Sequence, residues 1–386
     1  MKISFVTNLC AHYNVGTFEL LAREYDMDFY FFSTGDEWYW PREHGSRKGK
    51  FYSQYLPGFH LGGTRITLSL PWKLLRGGYD AYIKCINGRF ALPITYLIAR
   101  IRRRPFILWT GVWVRLQTRI QRLIFPVTRY IYRHSDAIVV YGEHVRRYLM
   151  SEGVASERIF VAPHATDNSF YSQPIPESEK EALRSSLGVT TDEKVVLYLG
   201  RLEESKGVHF LVEAFAALNR TDALLLIAGN GTLKSDLEAL VLKLGIGGRV
   251  RFAGYVPIES APRYYSIAWM CVLPSVTTLT GREPWGLVVN EALNQGVPVV
   301  VTETVGAAAG GLVQDGLNGF IVPERDAAAL AGAIDRLLSN GRLRREMSVN
   351  ARKSISTWDY ERNVQGYREA IEYALSRSRR NTPRSL

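Results

Sequence analysis

Short runs of Val, Ile and Leu alternate with helix-period segments along nearly the whole chain, and this alternation limits the available folds more than any other feature. In the second half the runs fall at 195–199, 223–228, 250–252, 269–273, 297–301 and 319–322. Helical patterns at 208–218, 233–244 and 287–294 separate them. Strands that lack polar alternation are buried on both faces, which predicts a parallel sheet covered by helices on each side. The first half repeats the theme at 3–7, 29–32, 81–86, 105–109 and 137–141. Residues 34–78, rich in Gly, Pro, Tyr, Trp and basic side chains, read mostly as loops. Residues 163–186, with Pro174 and Pro176, have the composition of a linker. A chain of 386 residues has room for two such domains.

The expected fold is therefore α/β, with two doubly wound, Rossmann-like domains facing each other across a cleft. The expected divisions are 1–170, a linker at 171–190, a second domain at 191–357, and a helix at 358–386 that returns to the first domain and ends in a basic tail. Ligands of such sheets bind beyond the carboxyl ends of the strands, so the cleft is the expected site.

Composition removes several classes. With 46% hydrophobic and 22% charged residues, the chain is neither disordered nor fibrous. Cys10, Cys85 and Cys271 are far apart and form no CxxC, which excludes a zinc ribbon or a disulfide framework. The opening MKISFVTNLCAHYNV reads as a buried strand and not as a secretory leader. No apolar stretch reaches the roughly 18 residues of a membrane span. The nearest, 90–99, is closed by Arg100. A cytoplasmic protein is expected. Charge is unevenly divided: residues 1–172 carry 23 Lys and Arg against 13 Asp and Glu, the remainder 25 against 24. Such asymmetry suits nucleic acid, an anionic membrane surface or an anionic substrate.

Two segments carry chemistry. In GRLEESKG (200–207) a strand ends, and Arg201 and Lys206 occupy a short loop before a helix. Two cations at a strand's carboxyl end suit a diphosphate, although pairing with Glu203 or Glu204 would explain them equally. In GREPWGLVVNE (281–291), Glu283 precedes a helix expected to begin near Trp285 or Gly286, and Glu291 lies within it. A carboxylate there can accept hydrogen bonds from sugar or ribose hydroxyls, or serve as an ordinary helix-start acid.

Together with AGNGTL (228–233), GYVP (254–257), YYSIAWMCVLPS (264–275), EPWGLVVNEALNQGVPVV (283–300) and GGLVQDGLNGFIVPERD (310–326), these segments resemble the second domain of retaining glycosyltransferases of the GT-B fold, family 4. The resemblance is strong over 190–358 and weak over 1–189. It implies that Glu283 binds donor-sugar hydroxyls and that Glu291 binds the nucleotide ribose. Arg201 and Lys206 would neutralise the departing diphosphate, with amides near Gly286 and Leu287 assisting. Tyr255 and Val256 would line the base pocket. Gly16 and Thr17, in HYNVGTF, fall where the family has a glycine-bearing loop near donor phosphate and acceptor, here without its Gly-Gly pair. Where many members carry a histidine near the anomeric carbon, this chain has Trp109, Thr110 and Gly111. His164 and His12 are the histidines with a possible site role.

No metal and no cofactor are expected. Asp26-Met-Asp28 matches the DxD metal pattern of another glycosyltransferase fold but lacks a third ligand, and AGNGTL lacks a full dinucleotide fingerprint. In the basic half, Arg115, Arg119, Arg122, Arg129 and Arg133 fall along one line of an ideal helix, beside an apolar face of Ile120, Leu123, Ile124, Val127, Tyr130 and Ile131. Pro126 interrupts that helix. This pattern suits anionic lipid headgroups or a lipid-diphosphate acceptor.

The resulting expectation is metal-independent transfer of a sugar from a nucleotide-sugar to a glycan or lipid-linked acceptor, as in bacterial polysaccharide or glycolipid assembly. It places the enzyme at the inner face of the membrane, with no nucleic acid as partner. A nucleotide-sugar epimerase of similar fold, or a basic nucleic-acid-binding protein, are the alternatives.

Overall fold

A computed structural model describes residues 1–33 and 49–380. They divide into two units, Met1–Ala165 with the chain from Tyr360 onward, and Thr166–Asp359.

The first unit runs β1 (Lys2–Thr7), α1 (Val15–Glu24), β2 (Asp26–Phe31), β3 (Ser53–Tyr55), a hairpin of β4 (Phe59–Leu61) and β5 (Thr64–Ile66), and α2 (Ser69–Arg76). It continues with β6 (Ala81–Cys85), α3 (Ala91–Ile101), β7 (Phe106–Thr110), α4 (Arg119–His134), β8 (Ala137–Val140), α5 (Glu143–Ser151) and β9 (Ile159–Val161). Seven parallel strands form its sheet in the order β3-β2-β1-β6-β7-β8-β9. Strands β6, β7 and β8 are buried at every position, as their unbroken apolar runs require.

The second unit begins with α6 (Asn168–Tyr171) and α7 (Glu177–Leu187). There follow β10 (Lys194–Leu199), α8 (Val208–Ala216), β11 (Ala223–Ala228), α9 (Lys234–Lys243), β12 (Val250–Gly254), α10 (Ala261–Ser266) and β13 (Ala268–Leu273). The unit closes with α11 (Val288–Asn294), β14 (Val299–Thr302), α12 (Gly306–Ala309), β15 (Gly319–Val322), α13 (Ala327–Ser339) and α14 (Gly341–Ile355). Its sheet is six parallel strands, β12-β11-β10-β13-β14-β15. The chain then returns to the first unit with α15 (Tyr360–Arg380), whose Tyr367 packs against Phe5 and Trp109. Both sheets are doubly wound, as the strand pattern predicts.

Four readings need correction. Residues 171–190 are not an extended linker: α7 lies there and is tied into the second unit by Arg263–Glu179 (2.8 Å) and by Arg184 donating to the Ile267 carbonyl (3.2 Å). No residue of α7 is fully buried, so the sequence carries no strong apolar stripe. Of the expected loop 34–78, residues 34–48 lie outside the described residues, while the rest holds β3, the hairpin and α2. The arginine line is shorter than an ideal helix suggests. Thr118 caps α4 by accepting from the Gln121 amide (3.3 Å), so Arg115 lies before the helix, with its guanidinium over the Phe125 ring. Finally, Asp26 and Asp28 lie within β2, not ahead of it.

Candidate active site

Each sheet reverses its winding direction once, and the loops leaving the two strands at that point diverge to open a crevice. In the second unit the reversal falls between β10 and β13. The loop after β10 carries Arg201 and Lys206; the loop after β13 carries Ser275 and Glu283.

Two backbone contacts draw these loops together. The Val276 amide donates to the Ser205 carbonyl (2.9 Å). Gly207, at φ +61°, approaches Pro274 so closely that a Cβ would lie 2.1 Å from its carbonyl oxygen. Only glycine meets both conditions. The approach brings Lys206 Nζ into an ion pair with the Glu283 carboxylate, and both side chains are largely buried. Ser275 Oγ donates to the same carboxylate oxygen at 3.2 Å. Burial alone would raise the Glu283 pKa. The attraction and hydrogen bond of Lys206, the field of Arg201 and the Ser275 hydroxyl outweigh it and hold the carboxyl below its ordinary value.

The main chain here is equally constrained. Glu283 makes a parallel bridge to Val305, and its carbonyl accepts from the Gly306 amide (3.1 Å). Thr302 and Thr304 both donate to the Ser275 carbonyl, at 2.5 and 2.7 Å. Arg201 lies further out and pairs with Glu203 (2.8 Å), while its carbonyl accepts from the Tyr198 hydroxyl (2.5 Å).

Gly286 has φ +89°, and a Cβ there would come within 2.7 Å of a Leu273 methyl. This left-handed residue delays the helix, so α11 begins at Val288 with Leu287 as its cap and not at 285–286. Glu291 therefore occupies the first turn of α11 and is buried. The Tyr265 hydroxyl donates to it at 2.7 Å, and Tyr171 also hydrogen-bonds it. Burial raises the Glu291 carboxyl above its ordinary value, and the two hydroxyls only partly counter that rise. Tyr255 and Val256 follow β12 at the carboxyl end of the same sheet, with Val256 buried. Lys206, Glu283 and Ser275 are thus brought together, Arg201 stands near them, and Glu291 sits in its own tyrosine-lined niche. Sequence reasoning missed Ser275, Tyr265 and Tyr171. They lie in LPS, PRYYS and NSFYS, where nothing local announces a partner many residues away.

In the first unit the winding reverses between β1 and β6, and a pocket opens there at the carboxyl ends of β1, β6, β7 and β8. Its walls include Asn8, Tyr13, Asn14, Asn87, Trp109 and Tyr141, and none of the lining residues is charged. His164 stands behind this wall, its ring stacked on Tyr141 (4.5 Å between centroids, 21°) and edge-on to Tyr13 (5.0 Å). Burial, aided by the nearby His12, pushes its pKa down to about 3, so His164 is neutral at neutral pH. It is a buried ring packed against two tyrosines. His12 lies in the loop after β1, ring to ring with Tyr13.

A Cβ on Gly16 would lie 2.4 Å from the Tyr360 ring, and Thr17 Oγ1 donates to Asn363 Oδ1 at 2.9 Å. Their side-chain positions therefore face α15. The DxD match is structural. Asp28 accepts from the Tyr79 hydroxyl (2.6 Å) and pairs with Lys2 (3.2 Å), at the end of β2 opposite the pocket. Among the described residues no group of three or more His, Cys, Asp or Glu side chains is placed to hold a metal ion.

Residues 179–354 match the family described as Glycosyl transferases group 1, a span that holds every second-unit site residue except Tyr171. The chain has the GT-B glycosyltransferase fold. It is similar in structure to HepE of Anabaena, solved with UDP, with a TM-score of 0.77 at 21% identity, covering 96% of this chain and 100% of that one. The same protein has been solved with UDP-glucose. In sequence, the chain is 35% identical over 200 residues to an uncharacterised glycosyltransferase of Methanocaldococcus jannaschii, covering 50% of each. It is 28% identical over 285 residues to the alpha-D-kanosaminyltransferase of Streptomyces kanamyceticus, covering 71% of this chain and 72% of that protein. For most such relatives the match spans about half of their length.

Proposed function

We propose that the chain is a retaining family 4 glycosyltransferase that moves a sugar from a nucleotide-sugar to a hydroxyl of a glycan or lipid-linked acceptor in bacterial cell-surface polysaccharide or glycolipid assembly. The observation that carries this reading is the Lys206–Glu283 pair, with Arg201 beside it, at the winding reversal of the second sheet. A diphosphate entering the crevice competes for Lys206 and draws on Arg201. Glu283, released from its partner but still ionised, accepts from hydroxyls of the donor sugar. In the reaction the bond from the anomeric carbon to the diphosphate breaks, and its electron pair leaves on the diphosphate oxygen. The acceptor oxygen bonds to the same face of that carbon, and its proton passes to the departing phosphate. Stabilising the leaving charge is the step to which Lys206 and Arg201 contribute most. These cations supply the charge a divalent metal would otherwise bring, so the reaction proceeds without one.

The uncharged amide, hydroxyl and aromatic lining of the first-unit pocket suits a neutral acceptor ring. Thermal unfolding with a panel of nucleotide-sugars tests the reading: the true donor at 100 times its Kd should stabilise by about 2.7 kcal/mol. No shift with any nucleotide or nucleotide-sugar would contradict it.

A further inference from the structure

Helices α2, α3 and α4 lie side by side, with α3 packed between the other two. Tyr96 of α3 joins the layer, touching Phe106 in the sheet and Tyr130 on α4. Their inner faces are buried through Leu70 and Leu74, Ile98, and Ile131 with Tyr132. Their outer faces are apolar as well. Trp72 on α2, Leu97 and Ile101 on α3, and Ile120, Leu123 and Val127 on α4 are all exposed, Leu123 to 80%. On α4, Ile120, Leu123, Val127 and Tyr130 follow the spacing of one helical stripe.

The charge on this layer has one sign. The three helices contain seven Lys and Arg and no Asp or Glu. Arg100 and Arg129 are engaged by Asp136 and Glu152, and Arg133 donates to the Glu152 carbonyl. Arg119 and Arg122 are exposed beside the apolar stripe, and Arg76 lies over the Trp72 ring (3.7 Å). Three adjacent helices with large apolar side chains outward, cations at their margins and no acid form a surface of defined chemistry.

We propose that the outer face of the α2–α3–α4 layer docks on the surface of an anionic lipid bilayer, its aliphatic and tryptophan side chains among the headgroups and Arg119 and Arg122 on lipid phosphates. A second copy of the chain is the poorer occupant, because a two-fold contact would bring two acid-free cationic faces together. Nucleic acid would use the arginines but leave the leucine and isoleucine side chains without a role. No helix among the described residues is long and apolar enough to cross a membrane, so this contact is peripheral. The docking stands on the helix layer alone. Its purpose, bringing a lipid-linked acceptor within reach, rests on the transferase reading.

Co-sedimentation of the full chain with phosphatidylglycerol and with phosphatidylcholine vesicles tests it. Binding is expected to the anionic vesicles, only weakly to the neutral ones, and is expected to fall with salt. A surface cation contributes about fivefold in affinity, so the double variant Arg119→Glu/Arg122→Glu should bind at least tenfold more weakly. Leu123→Glu should also weaken binding, which a purely electrostatic contact would not require to the same degree. All these positions are exposed, and unchanged thermal unfolding confirms that the variants fold. Equal pelleting with both vesicle types, no pelleting, or variants that bind like the parent would overturn the proposal. So would a concentration-dependent dimer that Leu123→Glu abolishes, or binding to RNA in place of vesicles. Transfer to a water-soluble acceptor separates the two readings: lost docking with retained transfer in the Arg119→Glu/Arg122→Glu variant supports both, and a parent chain that docks but transfers to no acceptor would overturn only the enzyme.

Discussion

Lys206 and Glu283, 77 residues apart in the chain, form a largely buried ion pair above the point where the second sheet reverses its winding. Each neutralises the other. A bound diphosphate would give Lys206 a second partner and leave Glu283 an ionised acceptor for hydroxyls. In the proposed reading the pair belongs to the donor site, and it is held in place by Gly207 on one side and by Ser275 and Gly306 on the other.

Removing one member strands the other. Lys206→Ala should lower transfer roughly 100- to 1,000-fold, the usual loss for a positioned charge-stabilising group. It should also destabilise the fold by about 3–5 kcal/mol, because a buried carboxylate loses its cation. In the double variant Lys206→Met/Glu283→Gln much of that stability should return while activity stays lost. Urea unfolding and initial rates on the parent, the single variants Lys206→Met and Glu283→Gln, and the double variant check this. Additive losses of stability would show that the pair is not coupled.

Glu283 and Glu291 should respond to pH in opposite senses. The Glu283 carboxyl is held below its ordinary value of 4.5, so its stabilisation is complete above that value and is lost as pH falls through the lowered one. Glu291 is raised above 4.5, so it favours the fold only when protonated, and that contribution is lost as pH rises through the raised value. Glu291→Gln cannot ionise and should melt at a higher temperature than the parent at pH 7, with the gain vanishing in acid. If Glu291 also binds ribose, the same variant should bind nucleotide-sugar more weakly. A lower melting temperature at pH 7 would contradict the burial argument.

His164 should be silent in the pH–rate profile. With its pKa pushed down to about 3, the ring carries no charge from weakly acidic to alkaline pH. His164→Phe keeps a flat ring against Tyr141 and should leave both kcat/KM and its pH dependence nearly unchanged. The unfolded chain protonates this histidine near 6.5, so the parent loses stability as pH falls from there toward 3. The Phe variant should be spared that loss. An inflection near pH 6.5 that disappears in His164→Phe would restore a catalytic role to the histidine.

The two sheets were legible in the sequence because their central strands are buried on both faces and leave unbroken apolar runs, as in Ala223–Ala228. Strand β3 and the hairpin, three residues each and partly exposed, leave no such run. Helix α7 was hidden because Pro174 and Pro176 suggest a linker, whereas Pro176 stands at the cap of a helix with no fully buried residue. At the site, the charged residues could be named from their motifs. Their pairing could not, since it depends on Gly207 meeting Pro274 across two loops. Likewise the packing of Gly16 and Thr17 against α15 joins distant segments of the chain and leaves no local mark.

Transfer should persist in excess EDTA, because in the proposed mechanism Arg201 and Lys206 provide the positive charge at the leaving group. Initial rates with and without chelator, and after adding Mg²⁺ or Mn²⁺, check this. Loss on chelation with recovery on metal addition would require a metal site in the reaction.

The most direct measurement is proton NMR of the purified full chain with nucleotide-sugars and a soluble glycan acceptor, following the anomeric signals of donor and product. The account predicts nucleoside diphosphate release with a new glycosidic linkage of the donor's own anomeric configuration, and almost none of either with Glu283→Ala. An inverted linkage would contradict retention. Conversion of donor to an epimer without acceptor, or turnover undiminished in Glu283→Ala, would contradict the proposed transferase itself.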